Sequence, residues 1–134
     1  MLIYVAGKFE DTEEVLRIFR QLELMGHEIV YDWTKHQNIR PYRDNPEMAA
    51  IYSKHEKTAI AGCDVFIALL TKEGTTFNRE IGFAEGLYSL RGKPLVYLVG
   101  PLNKESPWDF DMGVKKMDSI DDILKELREM KDRY

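Results

Sequence analysis

The chain of 134 residues contains one cysteine, three histidines and five prolines, and its formal net charge is −4. Each scarcity removes a class of explanation. A single thiol, Cys63, permits no intrachain disulfide and no cysteine-cluster metal site, and its apolar flank marks it as a small buried side chain. His27, His36 and His55 stand far apart in the sequence without ligand spacing, so they read as solvated or incidentally hydrogen-bonded imidazoles. No metal and no cofactor is expected. Charges of both signs are interspersed, which leaves no basic field for duplex nucleic acid and no polybasic address for a membrane. The opening MLIYVAGKFE has an apolar run too short, and wrongly flanked, for a signal peptide or a spanning helix. The expectation is a cytoplasmic protein with a small-molecule partner. Repeats, low-complexity tracts and dividing linkers are also lacking, and a hydrophobic content of 44% suits one core of ordinary size, so residues 1–134 read as a single domain.

What is present is alternation. LIYVA (2–6), EIVYD (28–32), DVFIALL (64–70) and LVYLV (95–99) read as buried strands. Between the first two, Asp11 and Glu14 form a D-x-x-E start signal, Val15, Ile18, Phe19, Leu22 and Met25 follow at helical spacing, and Gly26 suits the stop. Asn45 and Pro46 resemble an N-cap and first-turn pair opening a helix to about Ala61, another helix runs from about 78 to 90 and ends near Gly92, and a last one carries Ile120, Ile123, Leu124, Leu127 and Met130 on one side. Continuous apolar strands separated by amphipathic helices predict an α/β fold with a doubly wound, mainly parallel sheet, a flavodoxin- or Rossmann-like three-layer sandwich. Ligands in such folds bind at the carboxyl ends of the strands, so the informative loops follow Ala6, Asp32, Leu70 and Val99.

The loop after the first strand, GKFEDT, has neither G-x-G-x-x-G nor G-x-x-x-x-G-K-[ST], which excludes a dinucleotide fingerprint and a P-loop. A phosphoacceptor receiver would have an aspartate at the end of the third strand and an acidic pair after the first, where this chain reads LLTKE and AGKFE. What remains is a set of carboxylates and a tyrosine: Tyr4 in the first strand, Asp64 at the start of the third, and Glu80 where a polar loop becomes a helix. Glu80 complements the positive end of that helix, which is worth about 0.3–1 kcal/mol. The same end favours the ionised form, and an ionised carboxylate can attack an electron-poor carbon.

IYVAG (3–7), AGCDVFIALL (61–70) and EIGFAEGLYSLRGKPLVYL (80–98) together resemble the nucleoside 2-deoxyribosyltransferase family, including the 2′-deoxynucleoside 5′-phosphate N-hydrolases, over roughly residues 2 to 100. The order and spacing of Glu80, Gly82, Ala84, Gly92, Lys93 and Pro94 behind the D-V-x-x-A strand carry the likeness. The resemblance implies that Glu80 is the nucleophile toward the anomeric carbon and that Tyr4 orients it. It implies further that Glu56, eight residues before Asp64 where relatives usually have aspartate, is the acid that serves the departing base. Asp64 matches a family position too and takes a supporting catalytic role. Breaking an N-glycosidic bond builds positive charge on the sugar and negative charge on the base, so a carboxylate below the ring and a protonated acid beside the base suit it.

WTKHQNIRPYRDN (33–45) supplies Trp33 for stacking on a base and Arg40 and Arg43 for gripping phosphate, with a solvated loop around one buried Trp as the plain alternative. Gly7 and Lys8 after the first strand and Asn78 before the nucleophile complete the candidate substrate-binding set. GTTFNRE departs from the family's shorter glycine-bearing turn, with Thr76 and Asn78 in place of small residues, and Phe77 or Arg79 beside Glu80 is placed to narrow the sugar site or pair with the carboxylate. The chain ends without the C-terminal extension of the longer transferases, which favours hydrolase over base exchange. Three readings stay open: an N-glycosidase or deoxyribosyltransferase acting on a nucleoside or nucleotide, a non-catalytic nucleotide-ligand sensor on the same scaffold, and a glycosidase for another N-riboside such as NAD. Relatives form dimers or larger rings, so a homo-oligomer is expected, with Phe83, Leu87 and Tyr88 as its apolar contribution.

Overall fold

The computed structural model describes residues 1–71 and 77–133. Five parallel strands, β1 (Leu2–Ala6), β2 (Glu28–Ile29), β3 (Val65–Leu69), β4 (Leu95–Val99) and β5 (Val114–Met117), form one sheet in the order β2-β1-β3-β4-β5. Four helices connect and cover them: α1 (Thr12–Leu24), α2 (Pro46–Gly62), α3 (Phe77–Arg91) and α4 (Ile120–Arg133). Parallel neighbours need crossovers, and right-handed crossovers in both directions from β1 place helices on both faces. This is the doubly wound arrangement expected from the alternation. Its strand order reverses between β1 and β3, and that switch point opens a crevice at the carboxyl ends of the two strands.

The central strands are apolar throughout because both faces are covered, so every residue of β3 is buried. Strand register sorts the faces. Val5, Ile67 and Tyr97 align across β1, β3 and β4, and the Tyr97 hydroxyl donates to Glu126 on α4, so this is the face α4 covers. Tyr4 and Phe66 align on the opposite face, where their rings stack with centroids 5.6 Å apart and planes at 9°. Gly26 (φ 89°) and Gly92 (φ 78°) turn the chain in the left-handed region behind α1 and α3, where a side chain would be strained.

Several expected details differ. The D-x-x-E signal does not cap α1: Asp11 makes no side-chain cap bond, its carboxylate accepts instead from the Thr71 hydroxyl at 3.0 Å, and Glu14 pairs with Arg17. Asn45 likewise donates its side-chain amide to the Ile39 carbonyl at 2.9 Å rather than capping α2, although Pro46 does occupy the first helical turn. The second strand shrinks to Glu28–Ile29 at the sheet edge, and β5 was not foreseen. Cys63 is fully buried, its thiol donates to the Ile60 carbonyl at 3.2 Å, and burial pushes its pKa up to about 12. No helix among the described residues is long and apolar enough to cross a membrane.

Candidate active site

Three elements bring three side chains together on the Tyr4 face. β1 contributes Tyr4, which is fully buried in the middle of the sheet. α3 contributes Glu80 from its first turn, and α2 contributes Glu56 from its second half. The Tyr4 hydroxyl donates to Glu80 Oε1 at 3.3 Å, and the Glu80 carboxyl also shares a hydrogen bond with Glu56.

Electrostatics follow from this geometry. Burial, and then the neighbouring Glu56 carboxyl, push the Glu80 pKa up to about 9, while the Tyr4 bond pulls the other way. Burial also raises the Glu56 pKa, opposed by its bond to Glu80. The Tyr4 phenol is raised by burial and then by Glu80, so it stays a donor. Two adjoining carboxyls cannot both ionise cheaply, so the pair holds one proton near neutral pH. The sequence reading had the helix end keep Glu80 ionised; burial outweighs that end. A positive charge placed beside Glu80 would draw the shared proton to Glu56, leaving one carboxyl ionised and its neighbour protonated.

Asp64 is elsewhere. It lies at the amino end of β3, where its carboxylate accepts the Leu2 N–H at 2.8 Å and Lys93 Nζ at 3.2 Å. There it fixes the start of β1 and plays no part in the carboxyl pair. Trp33 is no lid either: it is 6% exposed, its indole N–H donates to the Val5 carbonyl at 2.7 Å, and Phe9 meets its face edge-on. Gly7 makes room for this packing, since a Cβ there would come within 3.2 Å of Val15 and 3.7 Å of the Trp33 ring. The buried-Trp alternative is therefore the one the structure adopts.

Arg40, Pro41, Tyr42 and Arg43 line an open groove of about 600 Å³. The Arg40 guanidinium lies 5.8 Å from the Phe9 ring centroid, which ties the groove to the loop after β1 that carries Lys8. Neither this groove nor a second, of about 470 Å³ between α3 and the Pro107–Phe110 turn, is lined by Glu80. Asn78 is exposed in the first turn of α3, two residues before Glu80. Thr76 and the rest of 72–76 lie outside the described residues, as does the side chain of Phe77. No ion pair joins Arg79 to Glu80 among the described residues.

Folding brings His36 beside Glu56, a proximity that the sequence spacing does not show, whereas His55, next to Glu56 in the chain, is exposed. His36 Nδ1 lies 3.7 Å from Glu56 Oε1, its ring stacks on Tyr52 with centroids 3.7 Å apart, and Tyr31 packs against both His36 and His55. Sequence reasoning missed Tyr31, His36 and Tyr52. Tyr52 and Glu56, four apart on a helix, offered a readable shared face; the loop that returns His36 to it offered none.

These features define a doubly wound α/β protein with a half-buried, proton-sharing carboxyl pair at the switch point of its sheet. The Clostridium botulinum CMP N-glycosidase BcmB has a similar structure, with a TM-score of 0.62, 18% identity, and coverage of 95% of this chain and 98% of that one. The 2-deoxyribosyltransferase of Bacillus psychrosaccharolyticus is also similar, with a TM-score of 0.57, 16% identity, and coverage of 92% and 90%. No protein-family model and no curated protein sequence matches the chain. At such identities the likeness is one of fold, and the fold is the one that the family resemblance implied; both neighbours are enzymes by name.

Proposed function

We propose that the protein cleaves the N-glycosidic bond of a nucleoside or nucleoside 5′-monophosphate, ribo or deoxy, with Glu80 as nucleophile. The observation that carries this reading is the Tyr4–Glu80–Glu56 constellation at the switch point. Glu80 attacks the anomeric carbon as the bond to the base breaks, and the electron pair of that bond goes to the base, which takes the Glu56 proton. The Tyr4 O–H holds the attacking carboxylate in place. Water then gives its proton to Glu56 and its oxygen to the anomeric carbon, and the Glu80 ester breaks. Two displacements retain the configuration. Water is assigned as the acceptor in preference to a second base: one structural neighbour is an N-glycosidase by name, while the other is a transferase by name. Lys8, Arg40 and Arg43 are assigned to a 5′-phosphate, whose charge matches theirs. Self-association belongs to the reading as well: Phe83 is 36% exposed and Leu90 85% exposed on α3, whereas Tyr88 packs against Gly113 within the chain.

The test is chromatographic release of free base from deoxy- and ribonucleosides, their monophosphates and NAD, by wild type and Glu80→Gln. Release by wild type that is lost in the variant supports the reading and selects the substrate. No release from any of these by folded protein contradicts it.

A further inference from the structure

Glu56 has a second set of neighbours that cleavage by Glu80 and Tyr4 leaves unused. His36 presents Nδ1 to Glu56 Oε1 at 3.7 Å, and its side chain is only 9% exposed. Its ring cannot turn freely. Tyr52 stacks on one face with the planes at 2°, and Tyr52 is itself held by the Gln37 N–H donating to its hydroxyl at 3.1 Å. The Tyr31 hydroxyl hydrogen-bonds the other ring nitrogen, Nε2.

Burial keeps this imidazole neutral near neutral pH. Burial lowers its pKa most, and His55 on α2 lowers it further; Asp32, in the turn after β2, opposes them and is accompanied by Lys35 at 4.0 Å. A neutral ring carries one N–H, and the partner of the other nitrogen decides where it sits. Tyr31 holds its own proton, because burial raises its pKa. When Tyr31 donates to Nε2, the imidazole proton is on Nδ1, the nitrogen facing Glu56.

We propose that His36, fixed by Tyr31 and Tyr52, is a positioning residue that acts through Glu56: its Nδ1–H meets the negative charge that appears on Glu56 when the proton passes to the departing base. The proposal rests on the glycosidic reading above. No proton enters or leaves His36 in this step. The Glu56 proton goes to the base nitrogen with the electron pair of the broken bond, and the carboxylate left behind draws the Nδ1–H closer. A separation of 3.7 Å before reaction suits a contact that tightens only as charge develops. In the second displacement the water proton returns to Glu56 and the contact relaxes. The distinguishing consequence concerns the leaving group: His36 matters only when the leaving group needs a proton.

The decisive variant is His36→Phe, which keeps an aromatic ring against Tyr52 and removes both nitrogens. Single-turnover release is compared for the natural base and for 4-nitrophenolate on the same sugar, which departs without a proton. For the natural base kcat is expected to fall about tenfold or more with KM changed less than about threefold, and for 4-nitrophenolate to fall less than about threefold. Glu56→Gln is expected to show the same dependence more strongly. Equal losses for both leaving groups, or no loss for either, overturn the proposal. If His36→Phe does not fold, Tyr31→Phe must show the same pattern or the proposal fails. A nitrogen-15 measurement of the His36 ring separates this proposal from the function it rests on. Wild type is expected in the Nδ1–H tautomer, Tyr31→Phe shifted toward Nε2–H, and Glu56→Gln altered at Nδ1. If no substrate is turned over, the glycosidic reading falls, and a ring indifferent to both substitutions removes this arrangement as well.

Discussion

Tyr4→Phe deletes one oxygen from the buried end of the site and little else. The ring of residue 4 keeps its stack on Phe66, so the fold loses no apolar contact there. Glu80 loses its neutral donor at 3.3 Å. A hydrogen bond to a charged group contributes about 1.5–3 kcal/mol, and the long distance puts this one near the lower end. With about 1.4 kcal/mol per factor of ten, kcat/KM for base release should fall about 10-fold. The direction of the pH effect also follows. The Tyr4 bond lowers the Glu80 pKa against burial and Glu56, which push it to about 9. Its loss moves ionisation of Glu80 to still higher pH. The active pair holds one proton, with Glu80 ionised and Glu56 protonated, so ionisation of the last proton sets the descending limb of the kcat/KM profile, which should move upward by about one pH unit. The assay is kcat/KM between about pH 5 and pH 10, with circular dichroism to confirm folding. A profile and rate unchanged in folded Tyr4→Phe would refute the role given to Tyr4. A loss with the limb unmoved would refute the electrostatic account of it.

Arg40→Ala and Arg43→Ala, at the groove beside the loop after β1, should each raise KM for a 5′-monophosphate by about 5- to 20-fold and leave the free nucleoside within about twofold, as steady-state kinetics on both will show. Glu85 is 5% exposed, and burial and then Asp109 push its pKa from 4.5 to about 7. A folded pKa above the unfolded one means that stability falls as pH rises through that window and is level above it. Glu85→Gln should therefore raise Tm at about pH 8 and leave it unchanged at about pH 4, a pattern that thermal melts at both values would check. Gly100 has φ 115°, and a Cβ there would stand 2.6 Å from the Leu70 carbonyl oxygen. Gly100→Ala should cost about 2–4 kcal/mol in urea unfolding, with an unchanged midpoint as the contrary result.

The sheet was legible because buried parallel strands are written as unbroken apolar runs, and LVYLV coincides with Leu95–Val99. β5 was not, because VKKM at the sheet edge carries two lysines. Their charges are accommodated in the fold, with Lys115 reaching Glu126 at 2.9 Å and Lys116 reaching the Asp109 carbonyl at 2.7 Å. Tyr4, Glu80 and Glu56 were named from a motif resemblance, but their common location depends on packing of α2 and α3 on one face of β1. The raised Glu80 pKa comes from burial, which a helix-end argument does not contain. Trp33 misleads in sequence because an aromatic in a polar loop looks like a lid. Its indole N–H instead finds the Val5 carbonyl, and that bond makes burial tolerable.

The most direct measurement is peptide mass mapping of the protein after rapid acid quench with a slowly turned-over 2-fluoro nucleotide or nucleoside substrate. Such a substituent destabilises positive charge on the sugar and slows breakdown of a glycosyl ester. The account predicts one added sugar, with or without its phosphate, on the peptide containing Glu80, and no adduct in Glu80→Gln. Base released with full turnover, and no sugar on Glu80 at any quench time, would contradict the covalent route. A sugar attached to another side chain would contradict the assignment of Glu80.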